Sequence, residues 1–321
     1  MQQSMAVVNG LRVHFLTGGD GPCVVLLHGW PQTSHMWRNV APALAEHFTV
    51  LAPDLRGYGL TDKPDTGFDK RTMAADIAGL VAQLGHERVS LVGHDRGARV
   101  AHRYALDRPE SVDRLVVLDI IPTRALFRRV NDAVARGLWH WFFHLQPDLP
   151  EILTGDKIET YLRHFFERWT FNRPPVEEGV EEYVRAFSRP GALRAGFDDY
   201  RATAADIALD DETFDAGDRL EIPVMALWGE TGLMGGVPVL EIWKEYATDI
   251  RGEAIRSCGH FLPEEQPKRV SELLIEFLLQ GGRSPGSRPA GSGRVRSSCS
   301  PAIAGQPASK PREEGRPRRG P

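Results

Sequence analysis

The run Val89-Ser90-Leu91-Val92 leads into Gly93-His94-Asp95-Arg96-Gly97-Ala98-Arg99, and helical spacing follows as far as Asp107. A short apolar segment, a turn bracketed by two glycines and then a helix describe a strand–turn–helix with Asp95 at its tip. A turn this tight strains its central residue and lifts that side chain over the end of the strand, while the glycines admit the crowded backbone. A carboxylate at a helix start is ordinarily an N-cap. The flanking glycines, and the residues at the other strand ends, point to a nucleophile instead.

Outward from this turn, strands and helices alternate. Val7–Thr17 suits an early antiparallel pair, and continuous apolar runs follow at Cys23–Leu27, Phe48–Ala52, Leu115–Leu118 and Val224–Trp228. Runs of that length and composition are what strands buried on both faces look like. Lys70–Leu84 places Met73, Ile77, Leu80, Val81 and Leu84 on one helical face, and Arg96–Asp107 is the next helix. From Ile121 to about Arg219 no strand is evident, and apolar residues recur at helical spacing, as in Ile158, Tyr161, Leu162, Phe165, Phe166 and Trp169. A final helix is expected over Glu264–Leu279. The fold class is therefore α/β, a mainly parallel sheet with helices on both faces and an inserted helical cap. The expected core is 1–120 with 220–280, and the cap is 121–219.

Composition narrows the partners. The 321 residues are 41% hydrophobic and 26% charged, ordinary for a globular protein. No uncharged apolar run approaches the roughly 18 residues of a membrane span, and the first fifteen residues lack the pattern of a signal peptide. Residues 281–321 hold nine basic and two acidic side chains, and 22 of the 41 are Gly, Pro or Ser, a composition that reads as a disordered basic tail. The other 280 residues carry 30 basic and 41 acidic groups, a net −11 that repels nucleic acid and anionic membranes. Cys23, Cys258 and Cys299 have no metal-binding spacing and are too few for a disulfide framework. A cytoplasmic protein is expected.

A carboxylate nucleophile sets the reaction class. Serine attacks acyl carbon, whereas aspartate displaces a leaving group from sp³ carbon and forms an ester with itself, so that halides and epoxides become the expected substrates. Hydrolysing that ester requires a base and an oxyanion hole. His260, in Cys258-Gly259-His260-Phe261 after the last strand, fits the base. Its carboxylate partner follows either Leu115–Leu118 or Val224–Trp228; the second position reads Gly229-Glu230-Thr231-Gly232, which favours Asp119 and leaves Glu230 the weaker candidate. In His28-Gly29-Trp30-Pro31, the backbone N–H of Trp30 can converge with that of Arg96 on one oxygen. Arg96 and Arg99, three apart in the first helical turn, can face the same way and clamp a small carboxylate. Two cations at the positive end of a helix are locally unfavourable, and an anionic substrate would offset that cost.

The stretch Gly93–Arg99 and Val117-Leu118-Asp119-Ile120-Ile121-Pro122-Thr123 resembles the fluoroacetate (haloacetate) dehalogenases of the α/β-hydrolase superfamily. The likeness continues through Trp139-His140-Trp141-Phe142-Phe143, Asp198-Asp199-Tyr200-Arg201-Ala202, Trp228-Gly229, Gly232-Leu233-Met234 and Cys258-Gly259-His260-Phe261, and covers roughly 20–280. The loop Gly235-Gly236-Val237-Pro238 is richer in glycine than the family pattern. The resemblance implies Asp95 as nucleophile, His260 as base, Asp119 as its partner, and Arg96 with Arg99 holding the substrate carboxylate. It assigns His140, Trp141 and Tyr200 to the departing halide, where three N–H or O–H donors suit a compact anion. It also suggests a homodimer.

The expected function is hydrolysis of short 2-haloacids to 2-hydroxy acids through an aspartyl ester, with no cofactor or metal. The rival is an epoxide hydrolase with the same Asp–His–Asp set, for which Tyr161, Tyr183 and Tyr200 are available proton donors. A member of the fold that only binds a ligand is the alternative from another class.

Overall fold

The computed structural model describes residues 1–280, so the tail expected over 281–321 lies outside the described residues. Eight strands form one sheet: β1 (Gln2–Val8), β2 (Leu11–Gly18), β3 (Cys23–Leu27), β4 (Thr49–Pro53), β5 (Val89–His94), β6 (Val112–Leu118), β7 (Val224–Gly229) and β8 (Ile250–Ile255). Their order is β1-β2-β4-β3-β5-β6-β7-β8. The pairs β1/β2 and β2/β4 are antiparallel, and every pair from β4/β3 to β7/β8 is parallel.

Burial explains which strands are legible in the sequence. Every residue of β3 and β5 is buried, so β3 reads as an unbroken apolar run and β5 as an apolar run interrupted only by Ser90 before its Gly93-His94 end. The edge strand β8 instead alternates between half-buried and exposed positions, with Arg251 and Glu253 outward, and shows no such run. The early pair turns at Asn9-Gly10, both at positive φ (51° and 78°), a two-residue hairpin suited to Asn-Gly.

Helices follow the apolar stripes. Lys70–Gln83 buries Met73, Ile77, Leu80 and Val81, and the Asp69 carboxylate caps it by accepting from the Thr72 N–H at 2.9 Å. The helix expected over Glu264–Leu279 is two, Leu262–Glu265 and Pro267–Leu279. Pro267 has no N–H to continue the ladder, so the break falls there. Between β6 and β7 the described chain forms helices only, eight of them, from Thr123–Phe127 to Thr203–Asp215. Among the described residues no helix is long and apolar enough to cross a membrane.

The parallel register aligns the carboxyl ends of the central strands: Leu27 pairs with Gly93, His94 with Leu118, and Leu118 with Leu227. The chain leaves β3 to one side for β4 and returns on the other for β5. Loops diverge at such a reversal and open a crevice beyond the strand ends.

Candidate active site

Asp95 stands at that crevice. It opens the helix Asp95–Asp107 at φ +45°, left-handed and strained for a residue with a side chain. The two glycines are sterically required. A methyl group on Gly93 would lie 2.4 Å from the Ala98 Cα, and one on Gly97 would lie 2.3 Å from the His28 carbonyl oxygen. Strand and helix thus meet too closely for any other residue.

Asp119 follows β6 at φ +56°, and His260 lies beyond β8. The Asp119 Oδ2 to His260 Nδ1 distance is 2.6 Å, and Asp119 Oδ1 accepts the Gly229 N–H at 2.9 Å. Of the two candidate partners, Asp119 is therefore the one joined to the imidazole; Glu230 instead accepts the exposed Ser257 N–H at 3.3 Å. With Nδ1 held by the carboxylate, His260 Nε2 is left buried without a protein partner. Burial alone would lower the pKa of this imidazole, but the hydrogen bond and charge of Asp119, with Asp95 behind them, raise it. Burial likewise opposes ionisation of Asp95, yet His260, His94, Arg99 and Arg96 hold its carboxyl below the usual range.

The Trp30 N–H donates to Asp95 Oδ2 at 3.1 Å. Arg96, second in its helix, also has a backbone N–H that no helical carbonyl takes up. One carboxylate oxygen is thereby held by a donor while the other stays available for attack. The anchored oxygen is also the one that would carry negative charge if an ester at Asp95 were attacked by water.

Asp95, Asp119 and His260 line a cavity with Arg99, His140, Trp141, Trp169, Tyr200 and the apolar Leu126, Leu138, Leu233 and Met234. Burial holds His140 neutral, at about 3, so its imidazole offers a donor without a charge.

At two positions the structure shows partners that the sequence does not reveal. The family resemblance assigns the Trp141 indole N–H to a leaving group, but that N–H donates to Thr203 Oγ1 at 2.9 Å. Trp141 thus lines the cavity with its indole N–H engaged by Thr203. Arg96 and Arg99 are also held differently from each other. Arg96 gives Nε and Nη2 to Asp199 Oδ1 at 3.1 and 2.7 Å, and its guanidinium stacks on Tyr200 and Trp141. Asp199 is itself buried against Lys70 and accepts from Tyr58 at 2.6 Å. Only Nη1 of Arg96 lacks a partner. Arg99, by contrast, bonds to the Ile121 carbonyl and Thr123 Oγ1 at 3.1 and 2.9 Å, with no carboxylate among these partners. Burial and the neighbouring Arg96 charge lower it to about 10, so it remains a cation at neutral pH.

Further residues escape the sequence reading. Glu265 accepts backbone N–H groups from Gly259 (2.9 Å) and Phe261 (3.0 Å) on either side of His260, and from Phe171 (2.8 Å) and Asn172 (2.9 Å) in the helical segment. Its neighbour Glu264, pushed up to about 7 by burial, meets Arg38, Gln32 and Tyr183. The backbone N–H of His260 in turn donates to the Trp169 carbonyl at 2.8 Å. The sequence offers only the adjacency of Glu264-Glu265 to Gly259-His260-Phe261, in the first turn of the helix that follows.

The raised imidazole pKa gives a pH expectation. A His260 that acts as a base must be neutral, and kcat should then fall about tenfold per pH unit below a titration lying above the ordinary histidine value of about 6.5. Asp119→Asn removes the charge that raises it and should move this limb to lower pH. A steady-state pH profile of both proteins checks the direction; an unmoved limb would separate it from His260.

Residues 22–267 match the family model described as the alpha/beta hydrolase fold. The chain is 44% identical over 282 residues to the soluble epoxide hydrolase of Corynebacterium sp. (strain C12), covering 85% of this chain and 96% of that protein. It is 38% identical over 287 residues to the fluoroacetate dehalogenase of Burkholderia sp, covering 86% and 93%. The solved structure of the epoxide hydrolase CorEH without ligand superposes with a TM-score of 0.81 at 42% identity, covering 86% of this chain and 98% of that one. The sheet order, the strained turn at Asp95 and these similarities lead to one conclusion: the chain belongs to the alpha/beta hydrolase family.

Proposed function

We propose that this hydrolase converts short 2-haloacids to 2-hydroxy acids through an ester on Asp95. The observation that carries the reading is Arg99, a buried guanidinium in the cavity wall with no carboxylate among its hydrogen-bond partners. The Asp95 charge acts on it through space without a hydrogen bond and is lost when the ester forms, so a substrate carboxylate would supply a direct anionic partner. The free oxygen of Asp95 attacks the carbon bearing the halogen, the carbon–halogen bond breaks, and the halide leaves toward His140 and Tyr200. His260 then takes a proton from water through Nε2. The hydroxide adds to the Asp95 carboxyl carbon while Trp30 steadies the oxyanion; collapse expels the alkoxide, which takes the proton from His260 and leaves as the hydroxy acid, and the re-formed Asp95 carboxyl loses its proton to solvent.

Epoxide hydrolysis by the same three residues is the second reading, supported by Tyr200 in the cavity and by similarity to a named epoxide hydrolase. The supply of proton donors is thinner than the sequence suggests. The Tyr161 hydroxyl lies 2.6 Å from His144 Nε2 and that of Tyr183 donates to Glu264 at 2.8 Å, which leaves Tyr200.

Halide release from bromo-, chloro- and fluoroacetate, beside diol formation from styrene oxide, tests the choice. Haloacetates should be turned over in preference, and Arg99→Met should lower their kcat/KM by roughly 10–100-fold, the worth of a charge-assisted hydrogen bond. Turnover of styrene oxide with no halide release from any haloacetate would give the site to the second reading.

A further inference from the structure

The two readings call on different groups, and this cavity holds the recognition group of one beside the proton donor of the other. Arg99 and Tyr200 both line the space above Asp95 and His260. A haloacid uses the cation and needs from Tyr200 only a hydrogen bond. A neutral epoxide uses the phenol and leaves the cation bare. A molecule carrying a carboxylate on an epoxide carbon would use both.

We infer that short 2,3-epoxy acids, with glycidate (oxirane-2-carboxylate) the simplest, are substrates of this site and are hydrolysed to 2,3-dihydroxy acids. The inference rests on the aspartyl-ester reading above and adds an activity to it. With the carboxylate on Arg99, the epoxide carbon next to it occupies the place of the halogen-bearing carbon of a haloacid. An Asp95 oxygen bonds to that carbon, the carbon–oxygen bond of the ring breaks, and its electron pair stays on the ring oxygen, which takes the Tyr200 proton. Water, losing a proton to His260, adds to the ester carbonyl. The intermediate collapses, and the departing alkoxide takes the proton back from His260. The proton left on the re-formed Asp95 carboxyl restores the phenol, so the sum is epoxide plus water giving diol.

The surroundings of Tyr200 suit this sequence. Burial and the Asp95 charge push its phenol well above the ordinary tyrosine value, keeping it protonated before reaction. Ester formation removes the Asp95 charge just as the ring oxygen needs the proton, and the penalty on the phenolate falls at that moment. The apolar wall of Leu126, Leu138, Leu233 and Met234 leaves the remainder of the cavity suited to a short carbon skeleton.

The test compares glycidate with glycidol, which keeps the ring and replaces the carboxylate by a hydroxymethyl group, using bromoacetate as reference. Glycerate formation with kcat/KM at least about 100-fold above that for glycidol supports the inference. Tyr200→Phe should lower glycidate turnover by about 10²-fold or more, as expected for loss of a general acid, and slow bromoacetate turnover by a smaller factor because bromide leaves without a proton. Bromoacetate turnover without glycerate formation would overturn the inference and leave the dehalogenase reading standing. Stoichiometric labelling of the protein by glycidate without glycerate would overturn it as well. Glycidol turnover equal to that of glycidate, with bromoacetate inert, would overturn both.

Discussion

The His260→Asn protein is expected to release one halide ion per active site and then stop. The first step needs an ionised Asp95, which its neighbours keep below the usual carboxyl range, and makes no use of the imidazole. The second step needs a base, and His260 Nε2 is a buried cavity nitrogen with no protein partner to occupy it, on a ring whose Nδ1 is held by Asp119. Asparagine cannot accept a water proton, so steady turnover should fall by roughly 10⁴-fold while the burst survives. Intact-mass measurement after bromoacetate should then find one carboxymethyl group per chain, located on the peptide containing Asp95. The burst also reports that the variant is folded. Complete loss of halide release without an adduct would mean that the imidazole serves the first chemical step, which the two-step account does not allow.

Asp95→Ala should have the largest effect of any single change. It removes the attacking atom itself, and losses on the order of 10⁶-fold accompany removal of such a group in covalent catalysis. Neither a burst nor an adduct should appear with any haloacetate. The strained turn carries this prediction as much as the chemistry does. A residue held at φ +45° between two glycines that tolerate no side chain is placed for its exposure to the cavity. Turnover within about tenfold of the unaltered protein would mean that water attacks the substrate directly.

Fold and site differ in how much of them the sequence discloses. Strands β3 and β5 are legible because both faces are buried, which leaves no room for polar alternation. The edge strand β8, with Arg251 and Glu253 exposed, has no comparable signature. The triad can be read from strand ends, because a parallel sheet brings those ends together whatever the connections do. Side-chain pairings across long separations cannot. Arg96 lies 103 residues from Asp199, and nothing local distinguishes an arginine held by a buried carboxylate from one free for a substrate. The same holds for the Trp141 indole, whose partner Thr203 is 62 residues away. Such pairings depend on how helices of the segment between β6 and β7 pack, and periodicity reports only which face is apolar.

The most direct test of the nucleophile is a single turnover in H₂¹⁸O with enzyme in excess over chloroacetate. If water attacks the carboxyl carbon of an Asp95 ester, the glycolate keeps ordinary oxygen drawn from the protein, and the heavy isotope appears in the peptide bearing Asp95. Heavy oxygen in the first-turnover glycolate, with the peptide unlabelled, would contradict the account.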